Sequence, residues 1–334
     1  MTHSLADSHP IRKRKGLNVR RGCIIMIYTN RYAHSEGNLG EKMVVDIHTP
    51  VFPDRIAAAA VQKLQEASRT VAYSDGTASG IRGSMVRAGV EWSVVLPVAT
   101  NPAKVGSVND LSIRQTGRDG LIYFGCAHPD APGMRAELGR IAAAGLKGVK
   151  LHPVYQGADI DDLRFLRILD RAGELGLAVI THAGDDIGYP GEVRCSPEMI
   201  VRALKQVGPV KFVAAHMGGW RNWDRAAELL PELGVYIDTA FYLGRIAPLR
   251  ADAFAPEELE MLSGEAFVRL VRRFGTDRVL FGSDSPWSDQ AESLAQLRGL
   301  PLEPGELEDI LGRNARRLLD IQGMPERTEV KGEQ

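Results

Sequence analysis

The sequence predicts an α/β protein, a closed (β/α)8 TIM barrel in a single domain. Three observations carry that expectation. Eight short apolar or β-branched runs recur along the chain, near residues 43–48, 92–98, 121–126, 147–152, 177–182, 210–216, 234–239 and 278–283. Amphipathic helical segments lie between most of them, the alternation expected of a parallel sheet. Every histidine beyond residue 34 sits at, or just past, the end of one of these runs. Scattered histidines would fall mostly in helices and loops. One strand position for all of them places them at the C-terminal face of a barrel, where such folds carry their chemistry. A doubly wound open sheet is the alternative, but no GxGxxG follows the first run and no repeat of 20–50 residues is present.

The elements follow in order. Residues 1–42 have no sustained periodicity and read as a disordered extension. CIIMIY within them is too short for a signal peptide and lacks a small-residue cleavage site. Met43 is a candidate translation start, which N-terminal sequencing of the native protein tests. The barrel is expected over 43–322. MVVDIH opens it, and RIAAAAVQKLQEAS is the first helix. LIYFGCA leads to His128 and the helix MRAELGRIAAAG; GVKLH ends on His152 and precedes LRFLRILDRAGELG. LAVITH ends on His182, after which Ser196-Pro197 reads as an N-cap and first-turn proline for PEMIVRALKQVG. VKFVAAH ends on His216 and precedes NWDRAAELLPELG. AFVRLVRRFG leads into VLFGSD, which ends on Asp284; a final helix pair fills about 290–320, and 323–334 is a tail. Gly89, Gly145, Gly176, Gly208, Gly234 and Gly275 follow helices and read as C-terminal stops.

Composition narrows the function. The 334 residues are 44% hydrophobic, enough for one barrel-sized core with extensions. No apolar run approaches the roughly 18 residues of a membrane span. Residues 1–42 hold 8 Lys and Arg against 3 Asp and Glu, whereas the rest holds 33 against 39. The globular part therefore has no basic excess for nucleic acid, and RKRKGLNVRR reads as a solvated tail. Cys23, Cys126 and Cys195 are odd in number and lack a CxxC, which points to reduced thiols and a cytoplasmic setting. A homodimer is the base-rate expectation for assembly, and the partner is a small-molecule substrate.

Neutral imidazoles and carboxylates gathered at barrel strand ends can hold one divalent cation with a position left for water. His182 and Asp284 come from the fifth and eighth strands, across the mouth from each other, and His48 comes from the first. These three form a sterically reasonable metal set. Zn is expected, with Mn or Fe as alternatives, and one ion rather than two. Each histidine could instead cap its strand through backbone hydrogen bonds; five at one position favour a site.

VVDIHTPVFP, GVKLHP, VITHAG, AAHMGG and LFGSDSPW together resemble the strand-end motifs of the amidohydrolase superfamily, and most of all its amidohydrolase-related branch. That branch contains hydrolases and aminocarboxymuconate-semialdehyde-type decarboxylases. The resemblance covers about residues 43–320. It implies a metal-bearing distorted barrel, with His48 and His182 as ligands and His216 as a second ligand or acid/base. It makes Asp284 a ligand and proton shuttle. The strand-one pattern of the family is His-x-His, and here it is His48-Thr49-Pro50, whose proline offers no donor atom. Asp46, two residues before His48, could share its face and supply a carboxylate-x-His pair, or orient a neighbour.

Other positions are weighed beside these. Lys150 reads as a counter-ion for a substrate carboxylate, a structural partner, or a carboxylated bridge between two metals. His152 and His128 could bind substrate or hydrogen-bond at strand ends. Trp220 and Trp287 could wall a pocket or merely pack. The segments AGDDIGYPGEVRC and AFYLGRIAPLRADAF could act as lids, and Tyr242, Arg245 and Arg250 in the second could read an anion. Cys195 has no base near it in sequence and is not proposed as a nucleophile.

The leading expectation is hydrolysis of a small amide, lactone or ester. The metal lowers the pKa of bound water from about 15.7 toward roughly 7, Asp284 shuttles the proton, and His216 stabilises the oxyanion. Non-oxidative decarboxylation on the same scaffold is the alternative, favoured by a carboxylate-x-His reading of strand one. A catalytically inactive ligand-binding descendant is the third reading, motivated by Pro50.

Overall fold

A computed structural model of the protein describes residues 43–321. The expectations for residues 1–42 and for the tail lie outside the described residues. Within them the strands run β1 Val45–Thr49, β2 Trp92–Val95, β3 Leu121–Tyr123 resuming at Gly125–Cys126, and β4 Gly148–Leu151. They continue as β5 Ala178–Thr181, β6 Lys211–Ala214, β7 Tyr236–Asp238 and β8 Val279–Leu280. All neighbours pair in parallel. The ring closes where Ile47 N donates to Phe281 O at 2.8 Å and Asp284 N to His48 O at 2.9 Å. The expected (β/α)8 barrel is the fold.

Period-two alternation sorts each strand. Val45, Ile47, Trp92, Val94, Ile122, Phe124, Ala178, Ile180, Val213 and Leu280 share one core cluster with Leu318 and Leu319 of the C-terminal helix Asn314–Leu319. Val95, Leu121, Tyr123, Val149, Leu151, Val179, Phe212, Ile237 and Val279 belong to the other, which also takes in the surrounding helices. Successive side chains point to opposite faces, so the first set fills the barrel and the second meets the helices. On β4 this parity sends both Lys150 and His152 inward, the matched pair of pleats that the sequence required.

The helices at Asp54–Ser68, Met134–Ala143, Leu163–Glu174, Pro197–Leu204 and Gly264–Phe274 lie where the sequence placed them. Ser196 accepts from Met199 N, confirming the N-cap. Two expectations need correction. NWDRAAELLPELG is helical only over Trp223–Leu229 and continues as a 3-10 turn at Pro231–Leu233, because Pro231 has no N–H to extend the ladder. Gly208 is no left-handed stop: its helix ends at Leu204, and Gly208 N donates to Asp170 Oδ1 at 3.2 Å. No described helix is long and apolar enough to cross a membrane.

Candidate active site

The strand ends open into a cavity of about 1160 Å³. His48, Lys150, His152, His182, His216 and Asp284 line its floor, and Val51, Leu96, Tyr155, Trp220, Phe241 and Trp287 are among its walls. Trp220 and Trp287 thus line the cavity, one of the two roles the sequence left open for them.

Local backbone chemistry aims these groups. β1 pairs with β2 through an irregular register between Asp46 and Thr49. That irregularity breaks the simple alternation, so Asp46 and His48 do not share a face. The Asp46 carboxylate accepts from His48 N at 3.1 Å, Ser283 N at 3.0 Å, Ser283 Oγ and Gln290 Nε2 at 2.7 Å. It is fully buried and ties the first strand to the segment after the eighth. The structure thus corrects the reading of Asp46 as a ligand. His216 and Asp284 both adopt left-handed backbone, with φ of 60° and 64°. Non-glycine residues rarely do so, and such strain is concentrated at functional sites.

His48 is the hub. Its Nδ1 lies 2.8 Å from Asp238 Oδ2, its Nε2 lies 3.1 Å from Lys150 Nζ, and Asp284 Oδ1 is 3.5 Å from the same Nε2. Burial, and then the Lys150 charge, push the His48 pKa down to about 4. A neutral ring donates from Nδ1 to the carboxylate and accepts the lysine proton at Nε2. Burial pushes the Asp238 carboxyl up, but charge on His48, its hydrogen bond and His216 outweigh that and hold it at about 2. Burial lowers Lys150 to about 8 against the pull of Asp238 and Asp284. The Asp284 carboxyl lies well above the usual carboxylate range, because burial outweighs the nearby Lys150. The floor therefore gathers Lys150 and a proton-retaining Asp284 carboxyl around His48 Nε2.

A second cluster lies beside it. His152 Nε2 is 3.5 Å and His182 Nε2 is 4.0 Å from Asp186 Oδ2. The His152 and His182 rings stack at 4.4 Å, and Tyr155 stacks on His152 at 3.6 Å. His182 Nδ1 meets His216 Nε2 at 3.1 Å, while His216 Nδ1 faces Ala240 O at 2.9 Å. Burial, then charge on His182, drives His152 and His216 well below the usual histidine range.

The fold family implies a divalent cation, and the donor set can be tested against that. Among the described residues, one group brings three donor atoms within 4.8 Å of one another: His152, His182 and Asp186. His48, His182 and Asp284, the set expected from the sequence, line the same cavity without that convergence, and Pro50 lines it without a donor. The described residues therefore gather their closest candidate donors on the His182 side of the floor.

Several expected contacts fall elsewhere. His128 Nδ1 accepts from Asp130 N at 3.1 Å within its own turn, away from the cavity lining. Tyr242 is buried outside the cavity, Arg245 pairs with Glu260, and Arg250 with Asp252. Cys195 is buried, and burial pushes its thiol up to about 12, which suits its exclusion as a nucleophile. Two residues were missed. Asp238 ends its strand as the histidines do, and that shared position was its signal. Asp186 lies in the loop after β5, four residues beyond His182, in the acidic pair of AGDD.

A family model described as amidohydrolase matches residues 44–321. No curated protein matches the sequence. Among solved structures, 5-carboxyvanillate decarboxylase of Sphingomonas paucimobilis is similar at 15% identity and TM-score 0.60, covering 84% of this chain and 99% of its own. A Pseudomonas putida protein assigned as a 2-pyrone-4,6-dicarboxylic acid hydrolase is similar at 19% identity and TM-score 0.56, covering 84% and 98%. A dihydroxybenzoic acid decarboxylase of Polaromonas sp. JS666, with bound manganese and the inhibitor 2-nitroresorcinol, is similar at 11% identity and TM-score 0.58, covering 83% and 97%. These likenesses show the shared fold.

Proposed function

The chain belongs to the amidohydrolase family, and from that premise we propose that it is a metal-dependent enzyme that removes a carboxyl group, without oxidation, from a small ring-bearing acid. The observation that carries this reading is the placement of Lys150 Nζ and the buried Asp284 carboxyl around one atom, His48 Nε2, at 3.1 and 3.5 Å, on the floor of an apolar-walled cavity. Lys150 receives the anionic end of the substrate. Trp220, Trp287, Phe241 and Tyr155 offer flat apolar surface to a ring. The carbon–carbon bond to the carboxylate breaks and CO2 leaves. The electron pair stays with the ring carbon and takes the Asp284 proton. The Asp238–His48–Lys150 chain fixes the ammonium in place, and His216 positions His182. A divalent cation, when bound at this floor, would supply positive charge to orient the acid and stabilise the developing negative charge. The decarboxylases that share the fold make this chemistry a reasonable assignment for it.

Hydrolysis of a cyclic ester or amide is the second reading. It is favoured by the partial exposure of the Asp284 side chain to the cavity, which is large enough to hold water; the acid, once ionised, would then take a proton from that water. The two separate in one experiment. Ring carboxylates and their lactones are offered to the purified enzyme in ¹⁸O-water, and CO2 and label in the organic product are followed. Decarboxylation releases CO2 with no solvent oxygen in that product; label without CO2 establishes hydrolysis instead. Asp284→Asn should lower kcat by about a hundred- to ten-thousand-fold, the range for a removed general acid. Full turnover in that variant would show that the proton comes from elsewhere.

A further inference from the structure

We propose that Tyr155 is a specificity-determining residue: its hydroxyl donates a hydrogen bond to an oxygen substituent on the substrate ring, so that ring acids carrying such an oxygen are taken in preference to bare ones. The inference rests on the ring-acid reading above and names what the ring carries. Its first ground is that the hydroxyl is open and unspent. Tyr155 lines the cavity. Among the described residues its hydroxyl has no hydrogen-bond partner, yet it is not sealed in the wall as the Tyr242 hydroxyl is. A partnerless polar atom on the lining that is not sealed faces the open cavity. The floor's other polar groups are largely taken up among themselves, Lys150 Nζ with His48 and His182 with His216. A phenol keeps its proton until about pH 10 and so remains a donor.

The second ground is the rigidity of the mount. Tyr155 stands on the one-turn helix Pro153–Gln156, directly after β4. Pro153 presets the first turn, and Gly157, with φ 67°, ends it. Gln156 pins the turn to three strand ends. Its Oε1 accepts from His152 N at 2.9 Å, and its Nε2 donates to Ala127 O and, at 3.2 Å, to Ala99 O. The Tyr155 ring stacks on His152 at 3.6 Å and 17°, and Tyr189 leans on it at 5.3 Å and 51°. A swing of the side chain would give up both contacts. A donor fixed in this way loses little freedom when it bonds, so more of the bond's strength appears as discrimination.

The third ground is position. His152 follows Lys150 by two residues at the end of β4, which sets it about 6–7 Å nearer the mouth. A ring whose carboxylate meets Lys150 at the floor therefore brings its far edge to the level of His152 and of the tyrosine stacked on it. A hydroxyl, methoxy or carbonyl oxygen on that edge receives the phenol proton. A bare C–H edge strips water from the phenol and returns no hydrogen bond, and an unmade bond of this kind is what separates close analogues.

The test is binding, read without turnover. Benzoate and its ortho-, meta- and para-hydroxy forms are titrated by calorimetry into wild type and Tyr155→Phe, each checked for matching circular dichroism. In wild type at least one hydroxybenzoate is expected to bind about 3- to 10-fold more tightly than benzoate, the worth of one neutral hydrogen bond. In Tyr155→Phe, which keeps the ring stack, that ratio should fall to about one. Equal affinities in wild type, no binding of any of the four, or a ratio that survives in Tyr155→Phe overturns the role. A variant that weakens benzoate and the hydroxybenzoates by the same factor overturns it too, since that is a loss of structure and not of recognition. The expected ratios in a protein that releases no CO2 would overturn the proposed reaction and leave Tyr155 in its place.

Discussion

At the residue scale, Lys150 decides most about the substrate. A buried ammonium is costly unless its charge is used, and its structural partner is a neutral histidine. Lys150→Met should therefore raise KM by roughly 10- to 100-fold, the worth of one charge-assisted hydrogen bond, with a smaller effect on kcat. The sign of the pH dependence follows from the depressed pKa. Below about 8 the lysine is charged and binds the anion; as pH rises through about 8 the charge is lost. KM should climb about tenfold per pH unit above that point, and Lys150→Arg, which stays charged, should abolish the climb. Steady-state kinetics from pH 6 to 10 would decide it, and a KM that stays flat to pH 10 in wild type would remove Lys150 from substrate binding. His152, His182, His216 and Asp284 were legible in the sequence because each ends an apolar run, and Lys150 because it lies two residues before His152. Asp46 stayed open between ligand and orienting partner because alternation holds only in a regular strand, and β1 has a register shift between Asp46 and Thr49.

At the element scale, the loop after β5 carries the site's least obvious parts. Gly184 has φ +83°, and a Cβ there would stand 2.3 Å from both the backbone N and O of Trp220. Trp220 N donates to Ala183 O at 2.8 Å and Asp185 N to Trp220 O at 3.0 Å, so this glycine lets two strand-end loops zip together. Asp185 and Asp186 are placed by that contact. Gly184→Ala should cost about 1–3 kcal/mol from backbone conformation alone, with more from the clash. Urea unfolding measures the loss, and a wild-type midpoint would show that the two loops are not held by this approach. Nothing in the sequence signals which loop residue reaches a site, so Asp186 was passed over while its loop was noticed. The helices Ala78–Ala88 and Val105–Gln115 escaped for a related reason. The second buries Val105, Asn109 and Ser112, a mostly polar set without an apolar stripe. Asn109 faces inward because its amide bridges the backbone of Cys126, donating to its O and accepting from its N.

At the scale of the whole molecule, a barrel is only as sound as its closing seam, and here the seam between the first and last strands is built around a buried charge. Asp46 gathers His48 N, Ser283 N, Ser283 Oγ and Gln290 Nε2 where the ring shuts. The eight strands could be counted in the sequence because each is a short apolar run, but this junction depends on residues more than 230 positions apart. Burial raises the Asp46 pKa from 3.8 to about 6, against the hydrogen bonds from Gln290, Ser283 and the His48 backbone. The folded barrel thus holds a proton that the unfolded chain releases between about pH 4 and 6. The stability this proton confers is full below the unfolded value and is lost as pH rises through about 6. Asp46→Asn cannot titrate, so wild type should lose about 3 kcal/mol relative to that variant between pH 4 and pH 7. Urea unfolding of both proteins across that range measures the difference. A gap that does not change with pH would mean that the seam carries Asp46 ionised throughout, its four donors fully offsetting the cost of burial.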